Sequence, residues 1–160
     1  MSISVGDRMP EGSFAVMSSE GPGSISTEKL FGGDKVVLFA VPGAFTPTCS
    51  MSHLPGYIEH ADAILAKGID TIACMSVNDV FVMDAWAKDR GTGDKVMMLA
   101  DGNGDYTKAL GLELDASGFG MGTRSQRFAI VVDDGVVSQL HVEAPKEFKV
   151  SAAEAVLENL

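Results

Sequence analysis

Two cysteines, three histidines and four arginines are all that a chain of 160 residues holds of these types. Each scarcity excludes something. Two cysteines cannot build a disulfide-stapled scaffold. So few cysteines and histidines leave too small a ligand set for a zinc centre. A net charge of −10 argues against nucleic acid or an anionic membrane as partner, since either needs a basic surface. No apolar run approaches the length that spans a bilayer. Met1 to Pro10 is polar and lacks the apolar core of a signal peptide. The cytoplasm, or an equivalent reducing compartment, is therefore the expected location, with a removed transit peptide left open. Two cysteines there are redox-active or inert rather than structural.

What is present is ordinary for a globular chain: 46% hydrophobic and 21% charged residues. The length suits one domain with a full core, residues 1–160. No repeat, low-complexity tract or interdomain linker interrupts it. Ser13 to Met17 reads as a strand, Gly21-Pro22-Gly23 as a turn, and Ser24 to Ser26 as a short return strand. Thr27 to Phe31 is one helical turn ended by Gly32-Gly33. Lys35 to Val41 is short, β-branched and apolar, hence a buried strand. Pro55 predicts a kink or restart in the helix that follows. Beyond it, Ile58, Ala61, Ile64 and Leu65 form an apolar stripe.

Ile69 to Val77 is the next buried strand, with Cys74 inside it. Asn78 or Asp79 can cap a helix over Val80 to Arg90, ended by Gly91. Val96 to Ala100 is a third strand, and a short helix runs from Tyr106 to Leu110. Gly118 to Thr123 is a glycine-rich loop. Arg127 to Val132 and Val136 to Val142 flank an Asp134-Gly135 turn and read as a hairpin. Ser151-Ala152-Ala153-Glu154 matches a capping box opening the last helix. The sum is a layered α/β domain with a central mixed sheet flanked by helices.

Two tempting motifs fail. Asp101-x-Asn103-x-Asp105 starts like a calcium loop, but Tyr106 and Leu112 stand where glycine and glutamate are needed. Gly118-x-Gly120-x-Gly122 has the wrong spacing for a dinucleotide fingerprint.

The chemistry concentrates at the end of the Lys35–Val41 strand, in Val41-Pro42-Gly43-Ala44-Phe45-Thr46-Pro47-Thr48-Cys49-Ser50. Pro42, Gly43 and Pro47 stop the strand and force a tight loop. Cys49 then falls at the start of a helix, beside unpaired N–H groups and the positive end of the dipole. Both favour the thiolate, which is the nucleophile. A cysteine that only packs is the competing reading. An open α/β sheet places its site at the carboxyl ends of its strands, where Cys49 lies.

Pro42-x-x-x-Thr46-x-x-Cys49 resembles the active-site motif of peroxiredoxins, thiol peroxidases on a thioredoxin-like fold. The run through His53-Leu54-Pro55-Gly56, then Ser76-Val77-Asn78-Asp79 with Phe81-Val82-Met83 and Trp86, then Arg124-Ser125-Gln126-Arg127-Phe128-Ala129, resembles the type-5 subfamily, which includes the plant type II enzymes. The blocks stand in family order over nearly the whole chain. The resemblance implies that Cys49 reduces hydrogen peroxide and small alkyl hydroperoxides and becomes a sulfenic acid. It implies no metal, haem or flavin. It also implies a homodimer meeting near the active-site loop.

Peroxide reduction needs a thiolate, donors facing the leaving oxygen, and a partly shielded, in-line geometry. Thr46 can offer a hydroxyl, or be only a turn residue. The backbone N–H groups of Thr48 and Cys49 are free if they open the helix. Pro42 is a rigid wall, to which the resemblance assigns shielding. An arginine would hold the thiolate and the leaving oxygen. Spacing alone does not separate Arg124 from Arg127; the resemblance selects Arg127, before Phe128, with Arg124 as support. His53, four residues after Cys49, is within one turn of the thiol but is not counted as catalytic.

The sulfenic acid must be reduced. The plant type II enzymes are similar in having a second cysteine at the position of Cys74, taken to close an intramolecular disulfide. That would require Cα atoms within about 7 Å. A thiol such as glutathione, or a glutaredoxin or thioredoxin, is the alternative, and both routes remain open. Two rival functions also stand. A disulfide oxidoreductase would show C-x-x-C, and Thr46 occupies the first of those positions. A redox sensor with the same site would pass its oxidation to a partner and show no turnover.

Overall fold

The computed structural model describes residues 2–160. Seven strands form one mixed sheet in the spatial order Gly21–Ser26, Ser13–Ser18, Met97–Ala100, Thr71–Ser76, Lys35–Ala40, Phe128–Asp133, Val136–Val142. Its centre is β3 (Lys35–Ala40), β4 (Thr71–Ser76) and β5 (Met97–Ala100), all parallel. The strands β1 (Ser13–Ser18), β2 (Gly21–Ser26), β8 (Phe128–Asp133) and β9 (Val136–Val142) add antiparallel edges on the two sides. Helices cover both faces, which is why the central strands read as unbroken apolar runs rather than as alternation.

The period of two along β3 still sorts its side chains. Val37, Phe39 and Val41 enter one buried cluster, together with Cys49, Cys74, Tyr57 of α2 (Leu54–Leu65), Trp86 of α3 (Val80–Arg90) and Val156 of α5 (Ala153–Glu158). Val36, Leu38 and Ala40 enter the cluster on the other face, with Phe31 of α1 (Thr27–Phe31) and Tyr106 of α4 (Asp105–Leu110). This is a thioredoxin-like α/β fold, as expected.

Four local expectations need correction. The Gly21-Pro22-Gly23 segment is not the first turn. It belongs to β2, and the chain reverses at Ser19-Glu20, since Ser18 pairs with Gly21. The inward stripe of α2 is Leu54, Tyr57, Ala61 and Ile64, while Ile58 is half-buried and Leu65 exposed. The glycine-rich loop closes a two-stranded sheet, β6 (Glu113–Asp115) with β7 (Thr123–Ser125). Its strands are three residues long and largely polar, so no periodicity announces them. Ser151 does not cap α5: Ala152 holds the N-cap position with no side-chain bond, and the Ser151 hydroxyl turns to Glu143 instead.

Other local features match their signals. Asp79 caps α3, accepting from Val82 N–H at 2.9 Å, and Gly91 ends it at φ +70°. Asn78, the alternative cap, instead accepts from Ala44 N–H at 2.9 Å and from the Ser76 hydroxyl at 2.6 Å. It thereby ties the end of β4 to the loop after β3. The Asp101 carboxylate accepts from Tyr106 N–H, Thr107 N–H and the Thr107 hydroxyl, which makes it the anchor of α4.

Candidate active site

The loop after β3 is tightly determined. A Cβ built on Gly43 would come within 3.0 Å of Met121 Cε and 3.1 Å of Thr46 Cγ2, so a side chain there would require those neighbours to give way. Phe45 sits at φ +64°, an uncommon conformation for a bulky residue that the surrounding bonds must sustain. The Asn78 side chain beside it supplies one such bond.

The helix begins at Pro47, a residue suited to a first turn because its missing N–H would have no acceptor there. The first backbone bond runs from Ser50 N–H to the Thr46 carbonyl at 2.9 Å. The N–H groups of Thr48 and Cys49 precede it and have no helical acceptor. Cys49 is thus inside the first turn, and from Cys49 to His53 the helix is wound as a π-turn, with Leu54 N–H reaching back to the Cys49 carbonyl. In this winding the Ser50 carbonyl would next be served by Pro55, which has no N–H. Arg90 of α3 serves it instead, Nη1 to O at 3.1 Å, and Trp86 Nε1–H donates to the Ser50 hydroxyl at 2.8 Å. The expected break near Pro55 is therefore a widened turn, pinned by α3. Such single π-turns recur at functional sites.

Cys49 is fully buried. Arg127, at the entrance to β8, points Nη2 at the sulfur from 3.1 Å. A guanidinium can only donate, and it is always charged, so the sulfur is the acceptor in this contact and faces a fixed positive charge. Its other arm, Nη1, lies 2.8 Å from His53 Nδ1. That fixes the imidazole: Nδ1 accepts from arginine, so the ring proton sits on Nε2 and is donated to the Ser151 carbonyl at 3.0 Å. Burial, with the Arg127 charge beside it, pushes the His53 pKa down to about 3. His53 does not serve the thiol directly; it holds the arginine that does.

Arg124 stands elsewhere. Its Nε donates to the Met121 carbonyl at 2.9 Å and its Nη1 to the Val77 carbonyl at 3.0 Å, tying the β6–β7 unit to the end of β4. It makes no hydrogen bond to Cys49. Thr46 directs its hydroxyl proton to the Gly43 carbonyl at 2.7 Å, so for any further partner the oxygen is left as an acceptor rather than a donor. A cavity of about 670 Å³ opens beside the site. Pro42, Thr48, Arg127 and Phe148 form its inner wall, and Leu114 and Phe119 extend it outward. Phe148 packs edge-on to His53 and lies 5.8 Å from the Arg127 guanidinium carbon, a cation–π contact.

Cys74 lies in the middle of β4, opposite Phe39, and is also fully buried and free. Burial, and then the neighbouring Cys49 charge, push its thiol well above the ordinary range, only partly opposed by Arg127. It is held as a neutral thiol. The sequence does not reveal His53 as a partner of Arg127, nor any role for Glu143, Phe148 and Ser151 at the site. For Ser151 a signal is present but points to a cap. Glu143 has none beyond being a lone acid after an apolar strand.

A thioredoxin-like sheet whose β3–α2 junction carries a buried cysteine under a guanidinium defines a thiol-redox protein. Residues 4–157 match the redoxin family model. Chloroplastic peroxiredoxin-2E of Arabidopsis thaliana is 50% identical over 163 residues, which cover 99% of this chain and 70% of that protein. Peroxiredoxin-2B of the same plant is 48% identical over 159 residues, covering 99% and 98%. The crystal structure of reduced Prx3 from Vibrio vulnificus in complex with hydrogen peroxide superposes with a TM-score of 0.95 at 54% identity, covering 98% of each chain. The chain belongs to the redoxin family as a peroxiredoxin of the plant type II, or type-5, kind, a thiol peroxidase. Among the described residues no helix is long and apolar enough to cross a membrane.

Proposed function

We propose that Cys49 is the peroxidatic nucleophile and that hydrogen peroxide and small alkyl hydroperoxides are its substrates. The observation that carries this reading is the 3.1 Å contact of Arg127 Nη2 with the Cys49 sulfur, at the wall of an open cavity. The thiolate attacks one peroxide oxygen and the O–O bond breaks. The departing oxygen leaves as water or an alcohol after taking a proton, and Cys49 becomes a sulfenic acid. Arg127 offsets charge on the sulfur and then on the leaving oxygen. The Thr48 and Cys49 N–H groups donate to the bound peroxide, and the Thr46 oxygen accepts a hydrogen bond from the peroxide O–H. Pro42 limits water at the sulfur, and Arg124 supports by holding the loop ends.

An external thiol regenerates the enzyme: glutathione, or a glutaredoxin or thioredoxin. Attack on the sulfenic sulfur releases water and forms a mixed disulfide, and a second thiol restores Cys49. Full burial of Cys74 and its raised pKa support this route, since a neutral, enclosed thiol is a poor nucleophile. Residues 1–160 act as one domain in the cytoplasm. Two copies pair near the active-site loop, a reading supported by the exposed large apolar side chains Phe45, Met51 and Phe81, the first of them beside Trp86.

The deciding test is the intact mass of the reduced protein seconds after one equivalent of hydrogen peroxide. A gain of one oxygen at Cys49 supports both the nucleophile and the external reductant. A loss of two hydrogens replaces the external thiol by Cys74. An unchanged mass removes the peroxidatic role. Gain of oxygen without multiple turnovers on thiol reductants would indicate the sensor instead.

A further inference from the structure

We infer that Glu143 is a positioning residue for the cysteine chemistry, acting through a closed ring of hydrogen bonds that fixes Arg127 over the Cys49 sulfur. The inference rests on Cys49 being the reactive thiol, and it assigns a role to a residue that never touches that thiol.

The ring can be followed bond by bond. Glu143 lies just past β9, beside the start of β8, and its own N–H donates to the Arg127 carbonyl at 3.0 Å. Its side chain turns inward and is buried. One carboxylate oxygen, Oε2, accepts from Lys149 N–H at 2.7 Å, Ser151 N–H at 2.8 Å and the Ser151 hydroxyl at 2.6 Å. Burial alone would raise its pKa, but these donors outweigh that and hold it below the usual carboxylate value. It is therefore a carboxylate near neutral pH.

The chain it clamps presents the Ser151 carbonyl to the site. That oxygen accepts from His53 Nε2–H at 3.0 Å and from the Tyr57 hydroxyl at 2.7 Å. His53 Nδ1 then accepts from Arg127 Nη1 at 2.8 Å, and Nη2 of the same guanidinium reaches Cys49 at 3.1 Å. The path runs from the Arg127 backbone through Glu143, Ser151 and His53 back to the Arg127 side chain. Both ends of one arginine are thus held by one network. The clamped segment also contains Phe148, which packs on His53 and lies over the guanidinium.

Two features separate this from an ordinary surface clamp. The imidazole is useful to Arg127 only as the Nε2–H tautomer, and the Ser151 carbonyl enforces that tautomer. That carbonyl stays in place because a carboxylate, with several acceptor sites, gathers three donors from a segment that has no helix or strand to hold it. No other acidic side chain bonds Lys149 N–H or Ser151 among the described residues. Loss of Glu143 would free Ser151, then His53, and then the angle of the guanidinium. Misplacement of a catalytic group by about 1 Å can cost on the order of a hundredfold in rate.

The test reads the thiol directly. In a Cys74→Ser background, the rate of Cys49 alkylation by iodoacetamide is followed against pH, beside the rate of oxidation by hydrogen peroxide. Glu143→Ala is expected to move the alkylation midpoint upward by about one pH unit and to slow oxidation by about tenfold or more. Glu143→Gln, which keeps an acceptor oxygen, is expected to recover most of both. Ser151→Ala, which removes one of the three donors and keeps the carbonyl, is expected to shift both slightly in the same direction. An alkylation midpoint that stays at the parent value in Glu143→Ala overturns the inference. If that variant does not fold, an alkylation midpoint that stays at the parent value in Ser151→Ala overturns it. Alkylation needs no peroxide, so the role of Glu143 is tested even in a chain that fails as a peroxidase.

Discussion

Cys49 and Cys74 share one buried cluster and are equally shielded from solvent, yet the fold gives them opposite surroundings. Cys49 lies in a widened helical turn whose preceding N–H groups have no helical acceptor, with a guanidinium 3.1 Å from its sulfur. Cys74 lies in a central strand, paired on both sides by β3 and β5, with its thiol pushed up by burial. Equal burial therefore leaves the two thiols with different neighbours. On the proposed reading, the difference that matters is the fixed guanidinium beside one sulfur and not the other.

The most direct way to break this contrast is at the sulfur itself. Cys49→Ser is expected to abolish peroxide consumption with a thiol reductant, and any retained turnover would move the chemistry to Cys74. The next largest effect is expected from the cation. Arg127→Gln is expected to slow oxidation by about a hundredfold or more in stopped flow, as loss of a donor to developing charge does elsewhere. Arg124→Gln should fall short of that, since Arg124 bonds two backbone carbonyls and not the thiol. The opposite order would mean that the two arginines exchange roles in the working enzyme.

A third test concerns the histidine that holds the cation. The His53 pKa falls from 6.5 in the unfolded chain to about 3 in the folded one. As pH drops, the unfolded chain binds this proton first, so its contribution to stability is complete above pH 6.5 and is lost progressively toward pH 3. The slope within that window approaches about 1.4 kcal/mol per pH unit. His53→Gln, compared with the parent by urea denaturation at several acidic pH values, should flatten that slope. An identical slope would mean that His53 carries its proton in the folded state. The smallest effect is expected at the other cysteine. Cys74→Ala should change the oxidation rate by no more than about twofold and cost about 1–2 kcal/mol of stability as a small cavity. A collapse of the oxidation rate would make Cys74 part of the reactive site and end the contrast.

The same division marks what is legible in one dimension. Strong apolar runs and their punctuation locate β3, β4, α3 and the β8–β9 hairpin within a residue or two. Those elements are long, and burial selects their composition directly. The β6–β7 unit escapes because six largely polar residues carry no period. Ser151-x-x-Glu154 misleads because a capping serine and a serine bonded to a distant carboxylate look identical along the chain. Asn78 has the signature of a local cap, whereas it bonds Ala44 across 34 positions of sequence.

By itself the sequence determined that this chain forms an α/β sheet with a cysteine at a strand–helix junction, since Lys35–Val41, Pro42, Gly43, Pro47 and Cys49 act through neighbours along the chain. By likeness of motif it also selected Arg127, before Phe128, over Arg124 as the arginine for the thiolate. The tertiary structure puts that arginine 3.1 Å from the sulfur, and only it decided that His53 accepts from the same guanidinium and that Glu143 and Ser151 complete the support. The reason is physical. Propensity and period act over a few residues, whereas a hydrogen bond joining positions 53, 127 and 151 exists only after the sheet has brought three separate segments within about 3 Å of one another.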